Sequence, residues 1–384
     1  MTSTITARRL LRGNEIVEFP QITISDGRIT SIDTRSAGGA GDTYPEATLV
    51  AAYINIHVHG AVGHDVMEGT PESLRTIGCA LARHGVGGYY PTTVTSTTDE
   101  TLRGLEGIAA VIEGAPEADA AVPLGIHLEG PFLSAAKRGA HTAALLVAPS
   151  VALFDRFWEA AHGKIRILTI APELPAALEL IEHASKLGVI CSLGHSNATL
   201  EEAEAGFRAG GRSATHTFNA MRSLDHRDPG IAAYVLDQDA LYAEIICDGI
   251  HVEPAMVRLF YKAKGPERTV LITDGMAATG MPDGKYKLGS LDVEVTNGRC
   301  TTAGSPGVLA GSVLTMDKAV QNFAAFTGVS MTTSTQMATR NPARLMGIQQ
   351  RWGSLEVGRE ANFLALSAEG RIVQSFRAGR GLME

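Results

Sequence analysis

The sequence predicts an α/β protein: a (β/α)8 TIM-like barrel with a small β-sandwich domain formed from both chain ends. Three observations predict it. Eight short apolar runs recur between residues 53 and 275, several with the near-continuous apolar character of strands buried on both faces. Amphipathic segments separate these runs, and strand–helix alternation of this kind builds parallel sheets and barrels. The two ends, residues 1–49 and 354–384, instead carry short alternating runs, the period of half-buried antiparallel strands.

Taken in order, the N-terminal end contains EIVEF and QITISDGRITSID, with a turn signal at Asp26-Gly27. SAGGAGD (36–42) reads as a loop. The eight runs follow: YINIHVH (53–59), GYYPTTV (88–94), LGIHLEG (124–130), RILTIAP (166–172), VICSLGH (189–195), SATHTFN (213–219), AEIICDG (243–249) and TVLITDG (269–275). Between the first two, Thr70-Pro71 opens a helix whose Leu74, Ile77, Gly78 and Leu81 fall on one face. Thr199 with Glu202 forms a capping-box pattern before another. After the eighth run, KLGSLDVEVTNGRCTTA carries an Asn297-Gly298 hairpin signal and predicts a β-hairpin insertion near 284–303. SLEVGREANFLALSAEGRIVQSFRAG, near the C-terminus, returns to alternation. The expected division is 1–49 plus 354–384 as the small domain and 50–353 as the barrel. A doubly wound sheet is the competing architecture, but no GxGxxG follows a first strand.

Composition narrows the function. The 384 residues are 45% hydrophobic, enough for a large core, and carry a formal net charge of −8. A nucleic-acid binder usually shows a basic stripe, so no nucleic-acid partner is expected. No apolar stretch reaches the roughly 18 residues of a membrane span, and the N-terminal segment lacks an apolar leader core. Cys79, Cys191, Cys247 and Cys300 lie far apart with no CxxC, as in reduced thiols of a cytoplasmic protein.

In a barrel, residues at the C-terminal strand ends face one shared mouth. The polar residues there are His57 and His59 on the first strand, Glu129 on the third, His195 on the fifth, His216 on the sixth and Asp274 on the eighth. The strand period of two puts His57 and His59 on the same side. Neutral imidazoles and carboxylates converging in this way make a divalent-metal site. His64 lies past its strand and reads as an ordinary polar residue. His84, His162, His183 and His226 read as solvated, and His127, mid-strand, as a hydrogen-bonded core histidine.

INIHVHG, IHLEGPF, LGHSNAT, THTFNAM, CDGIHV and LITDGM resemble the amidohydrolase superfamily. HLEGPF together with HTFNAM, HRDPG and DGIHV narrows the resemblance to the N-acetylglucosamine-6-phosphate deacetylase family, over nearly the whole length. HxH alone is common to the superfamily. The resemblance implies that His57 and His59 hold one metal, His195 and His216 a second, and that Glu129 bridges them. It implies divalent ions of the zinc, iron, manganese or cobalt class, two per subunit. The fourth run ends in RILTIAPE rather than in a lysine, which favours this glutamate-bridged branch. The family pattern has Pro-Gly before the first strand and Asp two residues ahead of the first ligand; Ala51, Ala52 and Asn55 stand there instead.

The implied reaction is hydrolysis of the acetamide of N-acetylglucosamine 6-phosphate to glucosamine 6-phosphate and acetate. Metal-activated water is the nucleophile and Asp274 the general base and acid. The resemblance further implies that Asn219 and Ala220 amides, His251 and Arg227 hold the phosphate, with Arg227 reaching from the other subunit of a homodimer, and that His141 faces the sugar or acetyl group. Two other readings compete: a cyclic amidase or deaminase of the same superfamily, and a non-catalytic barrel serving as an interaction protein.

Overall fold

In a computed structural model, which describes residues 2–35 and 43–382, all eight apolar runs contain parallel strands. Tyr53–Val58 pairs with Val86–Pro91. Ile126–Glu129, Ile165–Ile170, Ile190–Leu193, Gly211–Ala214, Tyr242–Ile246 and Thr269–Ile272 follow in that order across one six-stranded sheet. Two isolated parallel bridges, Thr92 to His127 and Val58 to Gly275, join the two sheets at their facing edges. The sixth strand is shorter than its apolar run suggests: it stops at Ala214, two residues before His216. The loop expected at 36–42 lies outside the described residues.

Helices between the strands form where the sequence signals them. Thr70 accepts a hydrogen bond from Ser73 N at the start of Pro71–Arg83, and Leu74, Ile77, Gly78 and Leu81 are buried beneath that helix. Thr199 and Glu202 close a reciprocal cap on Leu200–Ala209. Each cap satisfies amide groups that the first helical turn leaves unpaired. The buried faces join the strands in one continuous apolar core that includes Ile54, Leu128, Leu168, Leu193, Ile245 and Ile272.

The two chain ends meet in a separate eight-stranded sheet. Tyr44–Ala51, which leads into the first parallel strand, pairs antiparallel with Phe363–Leu366. Asp26 and Gly27, at φ 51° and 76°, make the predicted left-handed turn. This sheet has its own apolar cluster around Leu10, Ile22 and Phe363, where Phe363 stacks on Phe376 with ring centroids 4.3 Å apart. The insertion after the eighth parallel strand is larger than one hairpin: four antiparallel strands span Gly284–Leu309. The Asn297-Gly298 turn connects two of them. Apolar packing of Val94, Met276, Leu288 and Val293 seats the insertion beside the strand ends.

Candidate active site

Each predicted donor leaves a strand end, and the backbone bends to aim it. Beyond three of the strands, His195, His216 and Asp274 have φ of 49°, 28° and 52°, left-handed values that cost a non-glycine residue on the order of 1–3 kcal/mol each. Surrounding hydrogen bonds fix these bends. Asp274 N donates to His57 O at 3.0 Å and Ser312 N to Asp274 O at 2.7 Å, while Ser134 N donates to His195 O at 2.9 Å.

The six donors converge around Glu129, which is buried. Its Oε2 lies 3.4 Å from His57 Nε2 and 3.3 Å from His59 Nε2. Its Oε1 lies 3.3 Å from His195 Nε2 and 3.4 Å from His216 Nε2. Within the first pair the Nε2 atoms are 3.3 Å apart, and within the second 3.1 Å. Asp274 Oδ1 completes the first group, 3.5 Å from His57 Nε2 and 3.1 Å from His59 Nε2.

The tautomers of the four rings follow from their other nitrogens. His59 Nδ1 meets Thr92 O at 3.0 Å, His195 Nδ1 meets Lys137 O at 3.0 Å, and His216 Nδ1 meets Asn219 O at 3.2 Å. A carbonyl can only accept, so in each neutral ring Nδ1 carries the proton and Nε2 offers a lone pair. His57 Nδ1 faces a carboxylate, Glu244 Oε2, at 3.2 Å. Paired lone pairs 3.1–3.3 Å apart cannot hydrogen-bond to each other. A shared cation would satisfy them.

The spacing suits a metal ion. Bonds of about 2.0–2.1 Å in tetrahedral geometry put neighbouring donors about 3.3–3.4 Å apart, and the separations span 3.1–3.5 Å. His57, His59 and Glu129 lie close enough to share one ion, with Asp274 Oδ1 beside both histidines. His195 and His216 flank the other oxygen of Glu129, and Glu129, His141 and His195 also bring one donor atom each within reach of a common ion. Glu129 Oε1, fully buried, has no hydrogen-bond partner among the described residues. The imidazole and carboxylate chemistry therefore fits divalent metal.

Electrostatics point the same way. Burial opposes protonation of His57 and His59, yet the Glu129 and Asp274 carboxylates outweigh it. They raise His57 well above the usual range and His59 to about 9. Burial likewise disfavours the charged carboxylates, but the cationic ring of His57, with His195 beside Glu129 and His59 beside Asp274, holds both acids well below theirs. The site is a well for positive charge, filled by protons when nothing else fills it.

A cavity of about 230 Å3 opens above these donors, lined among others by His141, Asn219, Ala220 and His251. Leu288 and Val308 of the insertion form part of its wall. His141 Nδ1 accepts from Thr95 N at 3.3 Å and lies 2.7 Å from Thr95 Oγ1. That leaves the proton on Nε2, 3.8 Å from Glu129 Oε2. Burial, reinforced by the neighbouring His195, pushes His141 down to about 3, so its ring is neutral. His251 is anchored by Asp248, with Nδ1 2.6 Å from Oδ2. The amide of Asn219 already donates to His216 O at 2.9 Å. Arg227 does not join this group; it sits on an exposed loop whose amide bonds Asp225 Oδ1.

Of the remaining histidines, His162 and His226 are solvated as the sequence suggests, whereas His84 and His183 are half-buried. His64 pairs with Glu68, His84 with Asp317, His162 with Glu113 and His183 with Asp155, and His226 is exposed. His127 is buried, with Nδ1 2.9 Å from Ile56 O and Nε2 2.7 Å from Thr169 Oγ1. Sequence reasoning missed Glu244 and Asp248. The signal for Glu244 was an acid in the middle of the strand-forming part of AEIICDG, where an unpaired carboxylate is costly.

The amidohydrolase family matches residues 48–380. The chain belongs to this family. Within it, the chain falls among the N-acetylglucosamine-6-phosphate deacetylases and their kin. It is 37% identical over 382 residues to the N-acetylgalactosamine-6-phosphate deacetylase of Escherichia coli O157:H7, covering 99% of each chain. It is 34% identical over 377 residues to the N-acetylglucosamine-6-phosphate deacetylase of Vibrio furnissii, covering 97% of this chain and 93% of that one. A Mycobacterium smegmatis N-acetyl-D-glucosamine-6-phosphate deacetylase variant, solved with N-acetyl-D-glucosamine-6-phosphate, superposes with a TM-score of 0.93 at 32% identity, over 100% of both chains. No helix among the described residues of this amidohydrolase is long and apolar enough to cross a membrane.

Proposed function

We propose that this amidohydrolase removes the acetyl group of N-acetylglucosamine 6-phosphate, giving glucosamine 6-phosphate and acetate. One observation carries the reading: Glu129 presents one oxygen to the His57–His59 pair and the other to the His195–His216 pair. His57, His59, Glu129 and Asp274 would hold one divalent ion, and His195, His216 and Glu129 a second, of the zinc, iron, manganese or cobalt class. When bound, such ions lower the pKa of a coordinated water toward about 7 and polarise a carbonyl.

The chain's own groups do the rest. Asp274 lines the cavity and is the general base, taking a proton from the attacking water and returning it to the departing nitrogen. Neutral His141 donates its Nε2–H to the acetyl or sugar oxygen. His251, held by Asp248, and the main chain at Asn219-Ala220 bind the phosphate. With the Asn219 amide engaged in its turn, Ala220 is the freer donor. Arg227 adds its charge to the neighbouring pocket of a homodimer, which accounts for its exposure and its distance from the cavity of its own chain.

The same reading makes the chain a closed (β/α)8 barrel of residues 50–353, supported by the parallel bridges at Thr92–His127 and Val58–Gly275. Residues 1–49 and 354–384 form a small β-sandwich domain, supported by its separate apolar cluster. Four free cysteines, three of them buried, fit a cytoplasmic enzyme.

The galactosamine-named relative favours a second substrate of the same class, N-acetylgalactosamine 6-phosphate. The test measures acetate release from both sugar phosphates and from unphosphorylated N-acetylglucosamine, with metal counted on the same sample. Phosphate-dependent acetate release is expected. Metal-loaded protein that releases no acetate from either phosphate defeats the reading. Arg227→Ala should raise KM for the phosphorylated sugar far more than for the unphosphorylated one, and equal effects would remove Arg227 from phosphate binding.

A further inference from the structure

Three of the four clustered imidazoles, those of His59, His195 and His216, are backed at Nδ1 by main-chain carbonyls. His57 alone is backed by a side-chain carboxylate, that of Glu244, in the strand Tyr242–Ile246. Both residues are fully buried. The residue two positions before His57 does not supply this charge. Asn55 is neutral, and its Oδ1 takes the main-chain N–H of His57 at 3.3 Å while its Nδ2 donates to Thr273 Oγ1 at 2.7 Å.

We propose that Glu244 is a positioning residue for the His57–His59 metal site. Its carboxylate fixes the Nδ1–H tautomer of His57 and strengthens Nε2 as a donor. This inference rests on the metal-centre reading given above. Glu244 Oε2 receives the His57 Nδ1–H at 3.2 Å and also the main-chain N–H of His216 at 3.2 Å, so one oxygen touches a ligand of each pair. Its effect on the two differs in kind. At His57 it acts on the ring whose opposite nitrogen is the donor; at His216 it acts only on the backbone. Glu244 Oε1, also buried, has no hydrogen-bond partner among the described residues. A buried carboxylate with so few donors is costly unless positive charge lies close by. A cation held on the far nitrogen of His57 supplies it through the ring.

The relay of carboxylate, imidazole and metal has a known scale: losing such an outer partner weakens metal binding by about 10- to 100-fold. The experiment is a chelator-competition titration with zinc or cobalt on the metal-stripped full chain, with ions per chain counted by elemental analysis. Wild type should bind in two steps, and His57→Asn identifies the step that belongs to the His57–His59 pair. E244Q keeps the shape and removes the charge. It should weaken that same step by about 10- to 100-fold and leave the other step in place. Cobalt absorption bands of the weakened step should shift as well, because donor strength has changed.

Unchanged affinity in both steps overturns the inference, as does a loss confined to the His195–His216 step, which would make Glu244 a backbone anchor of His216. If E244Q does not fold, Glu244→Met, of similar volume and uncharged, carries the same test. If both stripped variants fail to fold, Glu244 is a folding requirement and the positioning role is refuted. A wild-type chain that binds no metal would instead defeat the metal-centre reading itself, an outcome distinct from every one above.

Discussion

Replacing Glu129 by glutamine perturbs the site at the one residue its two halves share. The side chain keeps its volume but loses its charge, and one oxygen becomes an NH2. In the structure each oxygen faces two Nε2 lone pairs at 3.3–3.4 Å. In E129Q one histidine pair keeps an oxygen, while the other meets N–H donors that hydrogen-bond its lone pairs and repel a cation. Four-ligand zinc sites bind with about 10–16 kcal/mol, so one ligand is worth about 3–4 kcal/mol, or a factor of about 10²–10³ in affinity. The pair facing the amide should lose at least that factor. The other pair loses less, through the missing negative charge. Ligand-linked stability follows: at about 100 times Kd each bound ion adds about 2.7 kcal/mol to folding, so the variant should forfeit most of one such increment. The assay is elemental analysis after dialysis against a graded chelator, paired with thermal melts with and without metal. Two ions per chain at wild-type affinity in E129Q would refute the bridging argument, and with it the joint use of both oxygens.

Asp274→Asn should lower turnover by about 10²–10⁴-fold, the usual worth of a positioned acid–base group, even when metal is supplied in excess and the His195–His216 ion is retained; near-normal turnover removes the assignment. Metal loading should weaken as pH falls. His59, raised to about 9 in the metal-free site, is protonated below that pH and must lose its proton to bind. Calorimetry at pH 7 in buffers of different ionisation enthalpy should therefore detect proton release, and uptake without it would contradict the sign. Gly107→Ala, in the helix Thr98–Glu113, puts a Cβ 2.1 Å from Gly69 O. Alanine's advantage of about 1 kcal/mol as a helix former should be overridden, with a net destabilisation of about 1–3 kcal/mol in denaturant melts and no change in metal stoichiometry.

Much of this site was legible from strand ends alone. His57, His59, Glu129, His195, His216 and Asp274 lie at or near the C-terminal ends of five of the strands, and a parallel sheet with helices between its strands brings such ends to one face. Glu244 was not legible in that way, because it sits mid-strand, where period and apolarity predict core. Asp248 was hidden for another reason: its role depends on a turn that brings it back to His251 three residues on. The insertion was underestimated because Asn297-Gly298 marks one hairpin, whereas the outer strands Gly284–Leu288 and Ser305–Leu309 are largely exposed and lack an apolar signature.

By itself the sequence determined the order of the parallel strands and the helices between them, the caps of Thr70 and Thr199, the two glycine turns and the placing of six polar residues at or near the ends of the parallel strands. These depend on residues close in the chain, whose hydrogen bonds and periodicity are local. Only the tertiary structure decided which oxygen of Glu129 faces which histidine pair, which nitrogen of each ring holds the proton, and that a carboxylate 187 positions away backs His57. Those choices are set by distances of about 3 Å between groups from different strands, and such distances exist only once the strands have come together.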